Sequence, residues 1–427
     1  MVKFLKWLAL VLAAFLLLLI GVAIALQHWL RTDDFRGRVE RQASAALGVP
    51  FKLGKLSVDL WPLPAVAADD VQIQTRPAIT VGRIEARPVW SGLLAGKLEV
   101  STLIVRKAVL PQTGIGALTA ALAKKDKGAP AKPVKTTGEP APLLLPKRAV
   151  LDDITWIDEK GQRMTVDAEA ELGGDGLLDQ AQFKIVQGRL AGTHGNVKRE
   201  PDHWPVRIDI GGGRIAGKVQ LQPAKGGAQL LSGQLTTTNV EVSALTAPTK
   251  TLTGKLEAQT TLRSEFRDPG QLVDALNTQT KFTVRDAVVD GIDLMKAVQT
   301  VGLSRGGVTH IDTLAGQVAT QGKAVHLTNL VATSGNLAAN GNVSIAPNKA
   351  LSGTINVDLH SKSRGALGVP LAVGGTVDEP SVNLTRGAMV GAAVGTLMMP
   401  GAGTAAGAST GGKIGESLRG LFGGGSK

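Results

Sequence analysis

The residues that could do chemistry in this chain are few and scattered. Its six histidines are His28, His194, His203, His310, His326 and His360. None stands at a metal-ligand spacing from another histidine or a carboxylate, and HExxH is absent. They read as residues of exposed strand faces. Two carboxylate pairs, Asp69-Asp70 and Asp152-Asp153, come closest to an acid–base arrangement. The first follows a proline turn and the second opens a strand, so both read as turn or edge residues. Gly211-Gly212-Gly213 has no helix behind it to hold a phosphate. No P-loop occurs. With no cysteine in the chain, thiol nucleophiles, disulfides and thiolate-bound metals are excluded. The expectation is a protein that is not an enzyme, with no catalytic residues, no cofactor and no metal.

The elements around these residues are strands. Val58 and Leu60 alternate with Ser57 and Asp59 up to Trp61-Pro62-Leu63-Pro64. Leu98, Val100, Thr102 and Ile104 alternate with Glu99, Ser101, Leu103 and Val105. A period of two with one apolar face is the strand pattern. It recurs in Leu252–Arg263, where Leu256, Ala258, Thr260 and Leu262 share a face, and in Ser352–His360, where Ile355, Val357 and Leu359 do. Three helices are expected: Phe35–Leu47, which stops at Gly48; Asp268–Leu276, with Asp268 as N-cap and Pro269 in the first turn; and Ile292–Val301.

At the N-terminus, Lys3 and Lys6 precede an apolar run, Trp7–Leu26. About 20 such residues span a bilayer core, and the run exceeds the roughly 7–15 residue core of a signal peptide. Gln27, His28, Trp29 and Arg31 mark an interface. The segment is read as an uncleaved anchor.

The stretch that begins LGVPFKLGKLSVDLWPLPAV and ends LLAGKLEV (residues 47–100), behind a hydrophobic anchor and a helix ending in Ala-Leu-Gly, resembles the N-terminal region of the AsmA family. Phe282–Leu294 and Val369–Leu384 are similar to that family's C-terminal region. AsmA proteins are bacterial envelope proteins, similar to the chorein-type bridge-like lipid-transfer proteins. The resemblance implies an N-inside orientation, with a single-pass anchor in the inner membrane and the bulk of the chain in the periplasm.

A unit of apolar residue, any residue, glycine, any residue, apolar residue recurs around Gly217, Gly233, Gly254, Gly316, Gly341, Gly353 and Gly375. Each glycine falls on the apolar face. Glycine inside a strand marks a bend, a bulge or a close backbone approach, and a sheet that curls around an apolar interior needs such places. Only 3% of residues are aromatic, so the face is aliphatic. Such a lining accepts acyl chains, at about 0.8 kcal/mol per buried methylene. The expected groove-lining residues are Val58, Leu60, Leu98, Val100, Ile104, Leu256, Leu262, Ile355, Val357 and Leu359, with the seven glycines providing curvature. An ordinary sandwich with bulges and a filled core is the alternative. Residues 123–142 form an Ala/Lys/Pro linker that cannot bury a core. After Thr385, Gly387, Gly391 and Gly395 recur every fourth residue, a spacing that suits close helix contact in membranes; a mobile tail is the other reading.

The expected fold is therefore mainly β: a transmembrane helix, a short lead-in helix, then an elongated, taco-like antiparallel sheet with few helical interruptions and a Gly-rich helical tail. The expected segments are 1–30 anchor, 31–122 N-terminal β region, 123–142 linker, 143–385 β-rich periplasmic region and 386–427 hydrophobic tail. The net charge of +12 fits an anionic lipid surface, and no nucleic acid is expected. The functional expectation is binding of phospholipid or another acyl-chain lipid, contributing to phospholipid transport or outer-membrane homeostasis. Some 18–20 strands at about 4.8 Å spacing reach only about 90 Å, so envelope protein partners are expected. The alternative is a non-enzymatic scaffold or regulator of outer-membrane protein assembly.

Overall fold

The computed structural model describes residues 32–59, 65–89, 99–128, 146–246, 252–267, 272, 274–299, 306–335, 337–361 and 365–389. The expected membrane helix, the linker from residue 129 onward, most of the expected helix at 268–276 and the tail beyond Met389 lie outside these residues. Leu276, the last residue of that expected helix, instead opens a strand. No helix among the described residues is long and apolar enough to cross a membrane. Strands make up 66% of the described residues, so the mainly-β expectation holds. The chain divides into two compact units, Met1–Lys198 and Arg199–Lys427.

The first unit contains α1 (Asp33–Leu47), β1 (Phe51–Lys52), β2 (Lys55–Asp59), β3 (Ala65–Ile73), β4 (Ile79–Pro88), β5 (Val100–Pro111), α2 (Gln112–Gly128), β6 (Arg148–Ile157), β7 (Arg163–Leu172), β8 (Leu178–Gln187) and β9 (His194–Lys198). Helix α1 starts on Asp33 and Asp34, which suits the positive end of its dipole. It ends at Gly48, whose φ of +70° few other residues tolerate. Its side chains cap the sheet edge: Glu40 Oε1 accepts the Leu53 N–H (3.0 Å) and Ser44 Oγ accepts the Phe51 N–H (2.8 Å). Pairing is antiparallel from β3 onward, with one exception. Strands β5 and β6 run parallel, which the all-antiparallel expectation missed. A parallel pair needs a long crossover, and α2, unforeseen in the sequence, opens it.

The second unit contains β10 (Trp204–Ile210), β11 (Gly213–Pro223), β12 (Gln229–Glu241), α3 (Val242–Leu245), β13 (Leu252–Phe266), β14 (Leu276–Asp290), α4 (Leu294–Gln299), β15 (Val308–Gln321), β16 (Ala324–Ser334), β17 (Leu337–Ile345), β18 (Leu351–Ser361), β19 (Gly365–Gly375) and β20 (Pro380–Leu384). Each strand pairs antiparallel with the next. The ladder is rolled. Strands β14 and β20 are six places apart, roughly 29 Å in a flat sheet at about 4.8 Å per strand. Yet a Cβ placed on Gly291, just after β14, would stand 3.3 Å from the ring of Pro380 in β20. Inside the roll sits α4, which starts at Leu294, two residues later than the sequence pattern indicates. Its Leu294, Ala297 and Val298 pack with Val284, Ala287, Ile311, Val357, Val369, Leu371, Val382 and Leu384.

Candidate functional site

Four rows of side chains run across the inner face of the second unit. In the first, Leu256, Val284, Leu314, Ala332, Ala339, Val357 and Val369 stand side by side. Val284 is 1% exposed and Val357 0%, because α4 fills the space above them. In the second row Phe282, Ile355 and Leu371 still pack against this core. The third row is Thr260, Thr280, Val318, Leu327, Val343, Gly353 and Val373; the fourth is Leu262, Thr278, Thr320, Val325, Ile345 and Leu351. Apart from Val373, the side chains of these two rows lie outside the core cluster, and all of them are only half-buried. One continuous apolar face is thus packed shut at one side and left half-exposed at the other. A cavity of about 710 Å³ lies mainly against the opposite face, lined there by Gln234, Thr236, Gln259, Thr261, Gln279 and Gln317, and only borders Leu235, Thr260, Thr280 and Val318 of this one. The opposite face is polar and exposed, with Gln234, Thr261, Gln279 and His326 in one row.

This gradient sorts the residues expected to line a groove. Leu262 lies on the half-exposed part. Leu256 and Ile355 pack against the core, and Val357 is enclosed within it, so Val357 faces no open space. Leu359 lies in β18, with its side chain outside the described residues. In the first unit, Leu60 and Leu98 also lie outside them. Val58 and Ile104 point to opposite faces. Val58 shares a row with Val66, Ala86 and Leu103, whereas Ile104 shares one with Ser57, Ala67, Glu85 and Val150. They do not line one groove. Strand β5 is apolar on both parities, which is why the sequence alone misplaced the pair. Val100, at the start of β5, is half-buried. Gly387 lies at the start of a helical turn, while Gly391 and Gly395 are outside the described residues.

The seven inner-face glycines divide into two kinds. Gly254 and Gly375 have left-handed backbone, with φ of +123° and +79°. The others are not at positive φ, but their neighbours crowd them. A Cβ on Gly341 would come to 2.7 Å from Ile355 Cα, and one on Gly217 or Gly353 to 2.8 Å from Leu235 Cα or Val343 Cα. At Gly233 and Gly316 it would meet Val219 Cγ1 and Leu330 Cδ2 at 2.8 Å. The strands are also interrupted at residues that sequence reasoning passed over. Asn239, Asp286 and Asn329 are left-handed within their strands, and the register slips beside Asn239 and Asn329. Asn and Asp are the non-glycine residues that tolerate this geometry. A lone Asn or Asp inside an apolar alternation was the available signal.

In the first unit the face that carries Ile104 also carries a network of charges. Arg83 donates to Glu85 Oε1 (2.8 Å), to Asp69 Oδ1 (2.7 Å) and to Asp59. Arg106 donates to the same Glu85 oxygen and lies 3.5 Å from Asp152 of β6. The Glu85 side chain is 8% exposed. Burial pushes its pKa up, but hydrogen bonds and charge from Arg83 and Arg106 outweigh this and hold it below the usual carboxylate range. Arg83 is held more firmly protonated, first by its bond to Glu85. The two carboxylate pairs thereby find their places. Asp69 and Asp152 belong to the network, while Asp70 and Asp153 are left-handed residues inside β3 and β6. They are not turn residues, and the network ties together strands β2 to β6.

Compared with known families, residues 1–204 match the AsmA family. Over that stretch the chain is similar to the AsmA family. The match spans the whole first unit and ends at the start of β10. Neither curated proteins nor solved structures gave a significant match. The stretches Phe282–Leu294 and Val369–Leu384, expected to be similar to the family's C-terminal region, lie beyond this match, in the second unit. There they build β14 with the approach to α4, and β19 with β20.

Proposed function

We propose that this AsmA-like chain is a non-enzymatic lipid-binding protein of the bacterial envelope. In this reading residues 7–26 anchor it in the inner membrane and both β units lie in the periplasm. The half-exposed rows of the second unit receive phospholipid acyl chains and contribute to phospholipid transport or outer-membrane homeostasis. The observation that carries the reading is the burial gradient on one apolar face. A face meant only for a core would be packed along its full length, since exposed apolar surface is costly. Here α4 plugs one side and leaves Leu262, Val325, Leu327, Val343 and Ile345 half-exposed. The family match and the net charge of +12 agree with work near anionic lipid.

The test is a photocrosslinking residue at Leu327 in the full-length protein, expressed in a Gram-negative host and irradiated in cells. Phospholipid covalently attached at Leu327, and absent from a control at the exposed Thr328, supports the reading. No lipid at either position overturns it and leaves the scaffold role in outer-membrane protein assembly.

A further inference from the structure

The two sides of the half-exposed face differ in chemistry. On β16–β18 its third and fourth rows carry Val325, Leu327, Val343, Ile345 and Leu351, with Gly353. On β13–β15 they carry Thr260, Thr278, Thr280 and Thr320 among Leu262 and Val318. The four hydroxyls form two cross-strand pairs, Thr260 with Thr280 (2.9 Å) and Thr278 with Thr320 (2.6 Å). A threonine hydroxyl has one proton to donate. In each pair one proton is used between the partners, and the other has no protein acceptor among the described residues. Two hydroxyl donors therefore sit on a half-buried, otherwise aliphatic wall. Thr278 and Thr280 are two residues apart in β14, about 7 Å along a strand. A donor in apolar surroundings gains most from a group that only accepts.

Resting on the acyl-chain reading, we infer that the Thr260/Thr280 and Thr278/Thr320 pairs form a subsite for the ester carbonyls of a diacyl glycerolipid. The hydrocarbon chains then lie toward the aliphatic wall of β16–β18. An ester carbonyl is acceptor-only and is flanked by alkyl chain on one side and glycerol on the other. Two of them on adjacent carbons of one glycerol fit two neighbouring donors. A plain hydrocarbon or an ether lipid has no comparable acceptor, so the site selects for the ester linkage.

The experiment compares diester phosphatidylglycerol with its diether analogue of identical chains, offered in equal amounts in mixed micelles. Full-length protein with the photocrosslinking residue at Leu327 is irradiated, and the attached lipids are quantified by mass spectrometry. The wild-type pairs are expected to enrich the diester about five-fold for each carbonyl bonded, the ratio for one neutral hydrogen bond. The variant Thr260→Val/Thr280→Val/Thr278→Val/Thr320→Val keeps side-chain shape and replaces both partners of each pair, so folding is largely spared. It is expected to bring the ratio to about one by lowering diester capture, while diether capture measured alone stays within about two-fold. Equal capture of diester and diether by the protein with its threonines intact overturns the inference, even if the variant does not fold. So does a folded variant that keeps the diester preference. Capture of neither lipid fails the acyl-chain reading itself, a separate result.

Discussion

Val343 and Val357 lie on the same face of adjacent strands, yet a carboxylate should act differently at the two. Val357 is 0% exposed. Val357→Asp forfeits about 1.5–3 kcal/mol of side-chain burial and adds several kcal/mol for an unpaired buried ion. That approaches the roughly 5–15 kcal/mol that holds a domain together, so the second unit should not fold. Val343 is half-buried and outside the core cluster. Val343→Asp loses roughly half the burial term, about 1 kcal/mol, and its carboxylate keeps water. At about 2–4 °C per kcal/mol for a unit of this size, the melting temperature should fall by only about 2–4 °C. The same charge would face acyl chains, and lipid crosslinked at Leu327 should drop at least about ten-fold through the ion's desolvation. The assay is a thermal melt beside lipid mass spectrometry on the full-length variants. If Val343→Asp unfolds as Val357→Asp does, the two rows are one closed core and the reasoning is wrong. If Val343→Asp melts normally and retains lipid fully, the face is exposed but the ligand sits elsewhere.

Gly341→Ala and Gly353→Ala should each destabilise by about 2 kcal/mol or more, because the new Cβ enters the backbone of the adjacent strand; Gly116→Ala in α2, with nothing within 4 Å, should stabilise by up to about 1 kcal/mol, and denaturant melts separate the two signs. Glu85→Gln should destabilise the first unit at pH 7, by less than the roughly 3–5 kcal/mol of a fully buried pair, since Arg83 and Arg106 keep 29% and 39% exposure. Because the folded-state pKa of Glu85 is depressed below its ordinary value of 4.5, its stabilisation is present above that pH and is lost as pH falls through the folded value. The gap between wild type and Glu85→Gln in a pH series of melts should therefore close below about pH 4.5; a gap that persists there refutes the charge-based account. Glu40→Ala and Ser44→Ala should each cost about 1 kcal/mol and speed hydrogen exchange at Leu53 and Phe51 respectively, the amides they cap; unchanged exchange would show that α1 does not protect the edge.

The sequence by itself determined what neighbours in the chain decide. A period of two in Leu256, Ala258, Thr260 and Leu262 dictates a strand with one apolar face, whatever that face meets. Gly48 ends α1, and the helix after Asp290-Gly291 is legible from the local pattern. So was the N-terminal pattern that matches the AsmA family. Tertiary structure decided the rest, because it depends on partners far apart in the chain. Val357 and Val343 have the same local pattern; only the placement of α4 inside the roll buries one and leaves the other half-exposed. Val58 and Ile104 look alike in alternating strands, yet the pairing across β2 to β5 turns them to opposite faces. Arg83 meets Asp59 and Asp69 only once β2, β3 and β4 are in register. The threonine hydroxyls find each other only across β13, β14 and β15. Alternation records which residues can share a face, whereas long-range register and the inserted helix determine what that face is used for.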